Sequence, residues 1–132
     1  MYREAATLCL TCNIPMERAE TSTGHDLEVC DRCGGAWMDV AAFLADLRRA
    51  QPRLASDELM EHNDGTPHRP CPVCKQPMSI VWVEFLQLDQ CLEHGVWFDR
   101  GELERALQGD VVPAEIRAVL QAAENRRRHR RP

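Results

Sequence analysis

Cys30-Asp31-Arg32-Cys33-Gly34-Gly35-Ala36-Trp37-Met38-Asp39 comes back, one residue shorter, as Cys91-Leu92-Glu93-His94-Gly95-Val96-Trp97-Phe98-Asp99. A Cys-x-x-Cys pair precedes each copy: Cys9 and Cys12 before the first, Cys71 and Cys74 before the second. The offset between copies drifts in order along the chain. It is 62 from Cys9, Cys12 and Pro15-Met16 to Cys71, Cys74 and Pro77-Met78. It is 61 from Leu27, Cys30 and Cys33 to Leu88, Cys91 and His94, and 60 from Trp37, Asp39 and Phe43 to Trp97, Asp99 and Leu103. One deletion in a hairpin and one in a glycine turn account for the drift, and both are loops, where length changes are tolerated. So many matches in order mark an internal duplication.

Two Cys-x-x-Cys knuckles about 20 residues apart supply the four convergent ligands that a structural metal needs. The predicted sites are Cys9, Cys12, Cys30 and Cys33, then Cys71, Cys74, Cys91 and His94. The repeat puts His94 where Cys33 stands, which explains why the chain has an odd count of seven cysteines. His68, three residues before Cys71, is a rival ligand that the repeat does not support. The expected cofactors are two Zn²⁺ ions. Iron is the alternative, since four thiolates also hold iron, but three thiolates and one imidazole suit zinc better. With both sites full there is no open position for a catalytic water. Pro70-Cys71-Pro72-Val73-Cys74 is half of a zinc-deaminase signature, but the His-x-Glu half is missing.

The chain has 132 residues, of which only 5% are aromatic. Units of about 40 residues usually need a metal or disulfides to fold. No N-terminal apolar leader and no long apolar run are seen, so a cytoplasmic location with no membrane span is expected, and metal binding rather than a disulfide framework. The net charge of −5 is unevenly spread. Arg126, Arg127, Arg128, Arg130 and Arg131 crowd the end, while the other 11 Lys and Arg face 21 Asp and Glu, a balance of −10. An acidic body is a poor match for a phosphate backbone.

The expected fold class is small α+β and metal-bound: two tandem ribbons, each a β-hairpin with two knuckles followed by a short helix, plus an extra C-terminal amphipathic helix. The expected division is 1–50 for the first unit, 51–70 for a Pro-rich linker, 71–109 for the second unit, and 110–132 for the last helix and basic tail. In the first unit, residues 16 to 30 read as a hairpin with its turn at Thr21 to Asp26. Asp39 is the expected N-cap of a helix to about Ala50, with Val40, Phe43, Leu44 and Leu47 as its apolar stripe. Trp37 is expected to pack beside the metal knuckle. In the linker, Ser56 to Glu61 is a candidate helical turn. In the second unit, Ile80 to Leu88 alternates with apolar residues on both faces, so cover from within the chain is expected. Asp99 and Glu102 fit a capping box for a helix to about Gln108, closed by Gly109. Pro113 fits the start of the last helix, whose apolar face is Ile116, Val119, Leu120 and Ala123. The tail Arg126 to Arg131 is expected to be solvated and mobile.

Cys-x₂-Cys-x₂-Pro-Met, then Cys-x₂-Cys/His-Gly-(Gly)-x-Trp-hydrophobic-Asp, then Gly101-Glu102-Leu103 resembles the bacterial zinc-ribbon family named after the transcription factor TFIIB. The resemblance covers about residues 9 to 47 and 71 to 107. The first copy departs with Val40-Ala41-Ala42 where Gly-Glu-Leu is usual, and the second with His94 for a Cys. The family implies the ribbon fold and, by its name, transcription; fold analogy alone does not give function. The expectation is a non-enzymatic zinc-binding module acting through contacts with an unidentified protein partner, with transcription as the setting the resemblance implies. The alternative is direct nucleic-acid binding through the ribbons and Arg126 to Arg131. A thiol or redox enzyme is disfavoured because all seven cysteines are used as ligands.

Overall fold

The computed structural model describes residues 7–20, 26–52, 60–62, 67–107 and 112–130. In chain order these form β1 (Glu17–Glu20), β2 (Asp26–Val29), β3 (Ala36–Met38), α1 (Val40–Ala50), β4 (Met60–His62), β5 (Ser79–Val83), β6 (Leu86–Cys91), β7 (Gly95–Phe98), α2 (Glu102–Ala106) and α3 (Ala114–Arg130). The strands make one antiparallel sheet in the order β1-β2-β3-β7-β6-β5-β4. The two metal-binding units therefore share a sheet, joined where β3 meets β7.

That seam is self-complementary. Ala36 lies opposite Phe98, Trp37 opposite Trp97, and Met38 opposite Val96. Under the repeat, Ala36 corresponds to Val96 and Met38 to Phe98, so each copy offers the other the same three positions. An approximate two-fold axis passes through the Trp37–Trp97 pair, as in an isologous dimer interface.

Alternation along a strand sends successive side chains to opposite faces. Ala36, Met38, Val96 and Phe98 join a core with Leu27, Val29, Val81 and Leu88 of the sheet and the apolar faces of all three helices. Phe43 of α1 meets Phe98 across the seam edge-on, at 4.9 Å between ring centroids. Gln51, the residue that caps the end of α1, donates to the Ala106 carbonyl at the end of α2 (2.7 Å), satisfying a helix-terminal group. Trp37 and Trp97 point the other way, into a second buried cluster with Met16, Met78 and the cysteines. The central strands are thus covered by helices on one face and by the metal knuckles on the other.

Local signals explain most elements. Asp39 caps α1 by accepting from the Ala42 N–H (3.1 Å), and α1 ends at Ala50 with Phe43 and Leu47 buried. Ile80, Val81 and Val83 are all buried within the chain, as two-sided hydrophobicity requires. Phe85 does not share that face. It sits with Glu84 in the two-residue turn between β5 and β6, and is 94% exposed.

Three expectations are corrected. Asp99 does not cap α2: the N-cap is Gly101 in the left-handed conformation (φ 83°), two residues later. Only the return half of the box forms, with the Glu102 carboxylate accepting from the Asp99 N–H (2.9 Å). In the linker, Met60 and Glu61 belong to a strand; the backbone pairs with β5 rather than forming a helical turn, because the apolar β5 still had an open edge. The basic tail is helical through Arg130, and the side chains of Arg126 and Arg127 are engaged, as described below. The turn at residues 21–25, the stretch 53–59 and Gly109 lie outside the described residues.

Candidate metal centres

Each Cys-x-x-Cys turn is built by the same backbone bonds. Cys9 N–H donates to the Ile14 carbonyl and Asn13 N–H to that of Cys9. Cys71 N–H donates to Gln76 and Lys75 N–H to Cys71, at the equivalent positions. Asn13 (φ 58°) and Lys75 (φ 68°) take the left-handed conformation that reverses the chain after the second ligand. The bridges Leu8 to Pro15 and Pro70 to Pro77 close the two loops. Between them runs a cleft lined by Cys9, Leu10 and Asn13 on one side and their equivalents Cys71, Pro72 and Lys75 on the other.

All eight predicted site residues are gathered. Cys9, Cys12, Cys30 and Cys33 bring one donor atom each to within 4.8 Å of one another, and so do Cys71, Cys74, Cys91 and His94. His68 stays outside, its Nδ1 hydrogen-bonded with the Met78 carbonyl (2.6 Å). Zinc–sulfur bonds of about 2.3 Å in a tetrahedron put sulfurs about 3.8 Å apart, and a sulfur and an imidazole nitrogen about 3.5 Å apart. Sγ atoms of Cys9 and Cys33 are 3.5 Å apart, those of Cys74 and Cys91 3.9 Å. His94 Nδ1 is 3.3 Å from Cys91 Sγ and 3.8 Å from Cys71 Sγ. The donor sets fit a tetrahedral metal.

The electrostatics point the same way. Burial pushes the Cys33 thiol well above its ordinary range, and neighbouring Cys9 adds to the shift. Cys91 is pushed up to about 11 by burial, with Cys71 and Cys74 contributing. Four thiols in the first set, or three in the second, cannot all ionise this close together without a cation to compensate the charge. Backbone donors are already aimed at sulfur: Cys12 N–H at Cys9 Sγ, Gly35 N–H at Cys33 Sγ and Val73 N–H at Cys71 Sγ, each at 3.3 Å.

Residues 70–109 match the family model described as a transcription factor zinc-finger. The matched span contains the Cys71, Cys74, Cys91 and His94 set. No curated protein and no solved structure matches the chain. Residues 70–109 are thus similar to a zinc-finger of that family, and the two donor sets are arranged as metal-binding sites. Among the described residues, no helix is long and apolar enough to cross a membrane.

The surroundings of the two centres differ. α3 lies over the first. Arg126 Nε donates to Asp31 Oδ2 (2.7 Å), between ligands Cys30 and Cys33, and Arg127 donates to the Cys30 carbonyl (3.4 Å). Glu124 anchors Arg100 and Arg127, each at 2.7 Å. In the second centre the equivalent of Asp31 is Leu92, 66% exposed, and Val73, between Cys71 and Cys74 in the chain, is 48% exposed. Buried carboxylates recur in both copies at one repeat position: Glu28 pairs with Arg18 (3.5 Å) and Asp89 with Arg69. Sequence reading passed over Glu28 and Asp89, although their offset of 61 falls in the repeat.

Proposed function

We propose that Cys9, Cys12, Cys30 and Cys33 hold one Zn²⁺, that Cys71, Cys74, Cys91 and His94 hold a second, and that the chain is a non-enzymatic module making protein contacts, in a transcription-related setting. Bound zinc supplies structural cross-linking, and the protein's own residues do the rest: they converge, donate to sulfur and exclude water. The observation that carries the reading is the closure of two complete donor sets at the repeat positions. Four protein donors at each centre leave no position for a reacting water, which is why catalysis is not proposed.

Protein rather than nucleic acid is favoured by charge. The body is acidic, and Arg126 and Arg127 are spent on Asp31, Glu124 and the Cys30 carbonyl. Leu92 and Val73, each next in the chain to residues of the second donor set, are exposed apolar side chains. Elemental analysis should return two zinc per chain; one metal, or iron, contradicts the assignment. Titration with labelled DNA and RNA at rising salt should show no salt-sensitive binding. Salt-sensitive binding that disappears when residues 126–132 are removed would install the nucleic-acid reading instead.

A further inference from the structure

The two copies interlock as well as pair. A Cβ placed on Gly35 would lie 2.4 Å from Cζ2 and 2.6 Å from Cη2 of Trp97. A Cβ on Gly95 would lie 2.8 Å from Cε2 and Cζ2 of Trp37. Gly35 and Gly95 are repeat equivalents, so each tryptophan is seated on the glycine of the other copy. Gly35 also belongs to the first centre: its N–H donates to Cys33 Sγ, and a Cβ there would stand 3.4 Å from that sulfur. One residue therefore supports a ligand of the first centre and receives the ring that follows the ligands of the second. Both rings and ligands of both centres form one buried cluster.

We infer that the two metal centres fill as one unit, each ribbon serving as the template on which the other's ligands are ordered. The inference rests on the metal reading above. A unit of about 40 residues is too small to hold a knuckle without help. The first ion bound orders its knuckle, the strand that follows and the tryptophan on it. That tryptophan is half of the wall against which the second knuckle closes, so the second ion meets a site whose ordering entropy has already been lost. Couplings of this kind are worth about 5- to 150-fold in affinity, and linkage requires that they be equal in both directions.

The test is a Zn²⁺ titration of the metal-free full chain followed by native mass spectrometry. At half saturation the metal-free and two-zinc species should dominate, with the one-zinc species well below its statistical share. A competing chelator then measures the first site in the Cys71→Ser/Cys74→Ser variant and the second in Cys9→Ser/Cys12→Ser. Each should weaken by at least about fivefold, and by similar factors. A variant that retains no zinc at its intact site is the extreme form of the same result. Two ions filling with a statistical one-zinc intermediate, and intact sites unchanged in the variants, overturn the coupling but leave the metal reading standing. A wild-type chain that retains no zinc overturns the metal reading itself.

Discussion

The two repeat units carry one arrangement of metal-binding side chains in two settings. Their Cys-x-x-Cys turns share the same backbone bonds, Cys9–Ile14 and Cys71–Gln76, and the same left-handed residue, Asn13 and Lys75. Around them the repeat diverges. Asp39 caps a helix of 11 residues, while the equivalent Asp99 accepts from Trp97 Nε1 (2.9 Å) and leaves capping to Gly101. Gly34, the extra residue of the first glycine turn, has φ 82° and lies under Arg100 and Arg127; the second turn lacks it. Metal ligation tolerates almost no change because four donors must meet at one point, whereas a cap or a cover can be supplied by any suitable neighbour.

The largest effect is expected from chelation. Metal binding is worth about 10–16 kcal/mol in small zinc domains, as large as the whole stability of most folds. Both ribbons should unfold together, with helical circular dichroism and the near-ultraviolet tryptophan signal lost in one transition. Survival of either signal alone breaks the equivalence of the halves. Next come Gly35→Ala and Gly95→Ala. Each should destabilise by about 1–3 kcal/mol or more in urea melts, as overpacking does. Gly95→Ala should be the worse, because its Cβ also meets the Met38 carbonyl oxygen at 2.7 Å, and backbone cannot step aside.

The two aspartates should fail differently. Asp99→Ala leaves the indole N–H of the buried Trp97 without this acceptor, at about 1–3 kcal/mol, and should shift tryptophan fluorescence. Asp39→Ala removes a cap, at about 1 kcal/mol, and should reduce helical signal instead. The smallest effect concerns Glu124, which Arg127 and Arg100 hold below the usual glutamate range. A lowered carboxylate stabilises the fold at neutral pH and stops doing so as acid protonates it. The melting difference between wild type and Glu124→Gln should therefore be present at neutral pH and vanish in acid.

Much of this was legible in the chain. Ligand spacing identified both donor sets, and the repeat singled out His94, because metal geometry is written in short fixed intervals. The Asp39 cap and the Phe43 and Leu47 stripe were legible because a helix of three turns repeats its period. The seam was not. β3 has three residues between a glycine pair and an aspartate, too few for alternation to signal a strand. Nor does a local pattern reveal that a tryptophan will sit on a glycine 58 residues away. The arginine run pointed toward solvent, whereas Arg126 finds Asp31, 95 residues distant.

X-ray absorption at the zinc edge tests the metal assignment most directly. Seven cysteines and one histidine shared between two ions predict an average of 3.5 sulfurs and 0.5 nitrogen per zinc, with sulfur at about 2.3 Å. An unchanged 3.5 sulfurs with no imidazole contribution and oxygen in its place would exclude His94, and two or fewer sulfurs with oxygen or nitrogen in their place would contradict both centres.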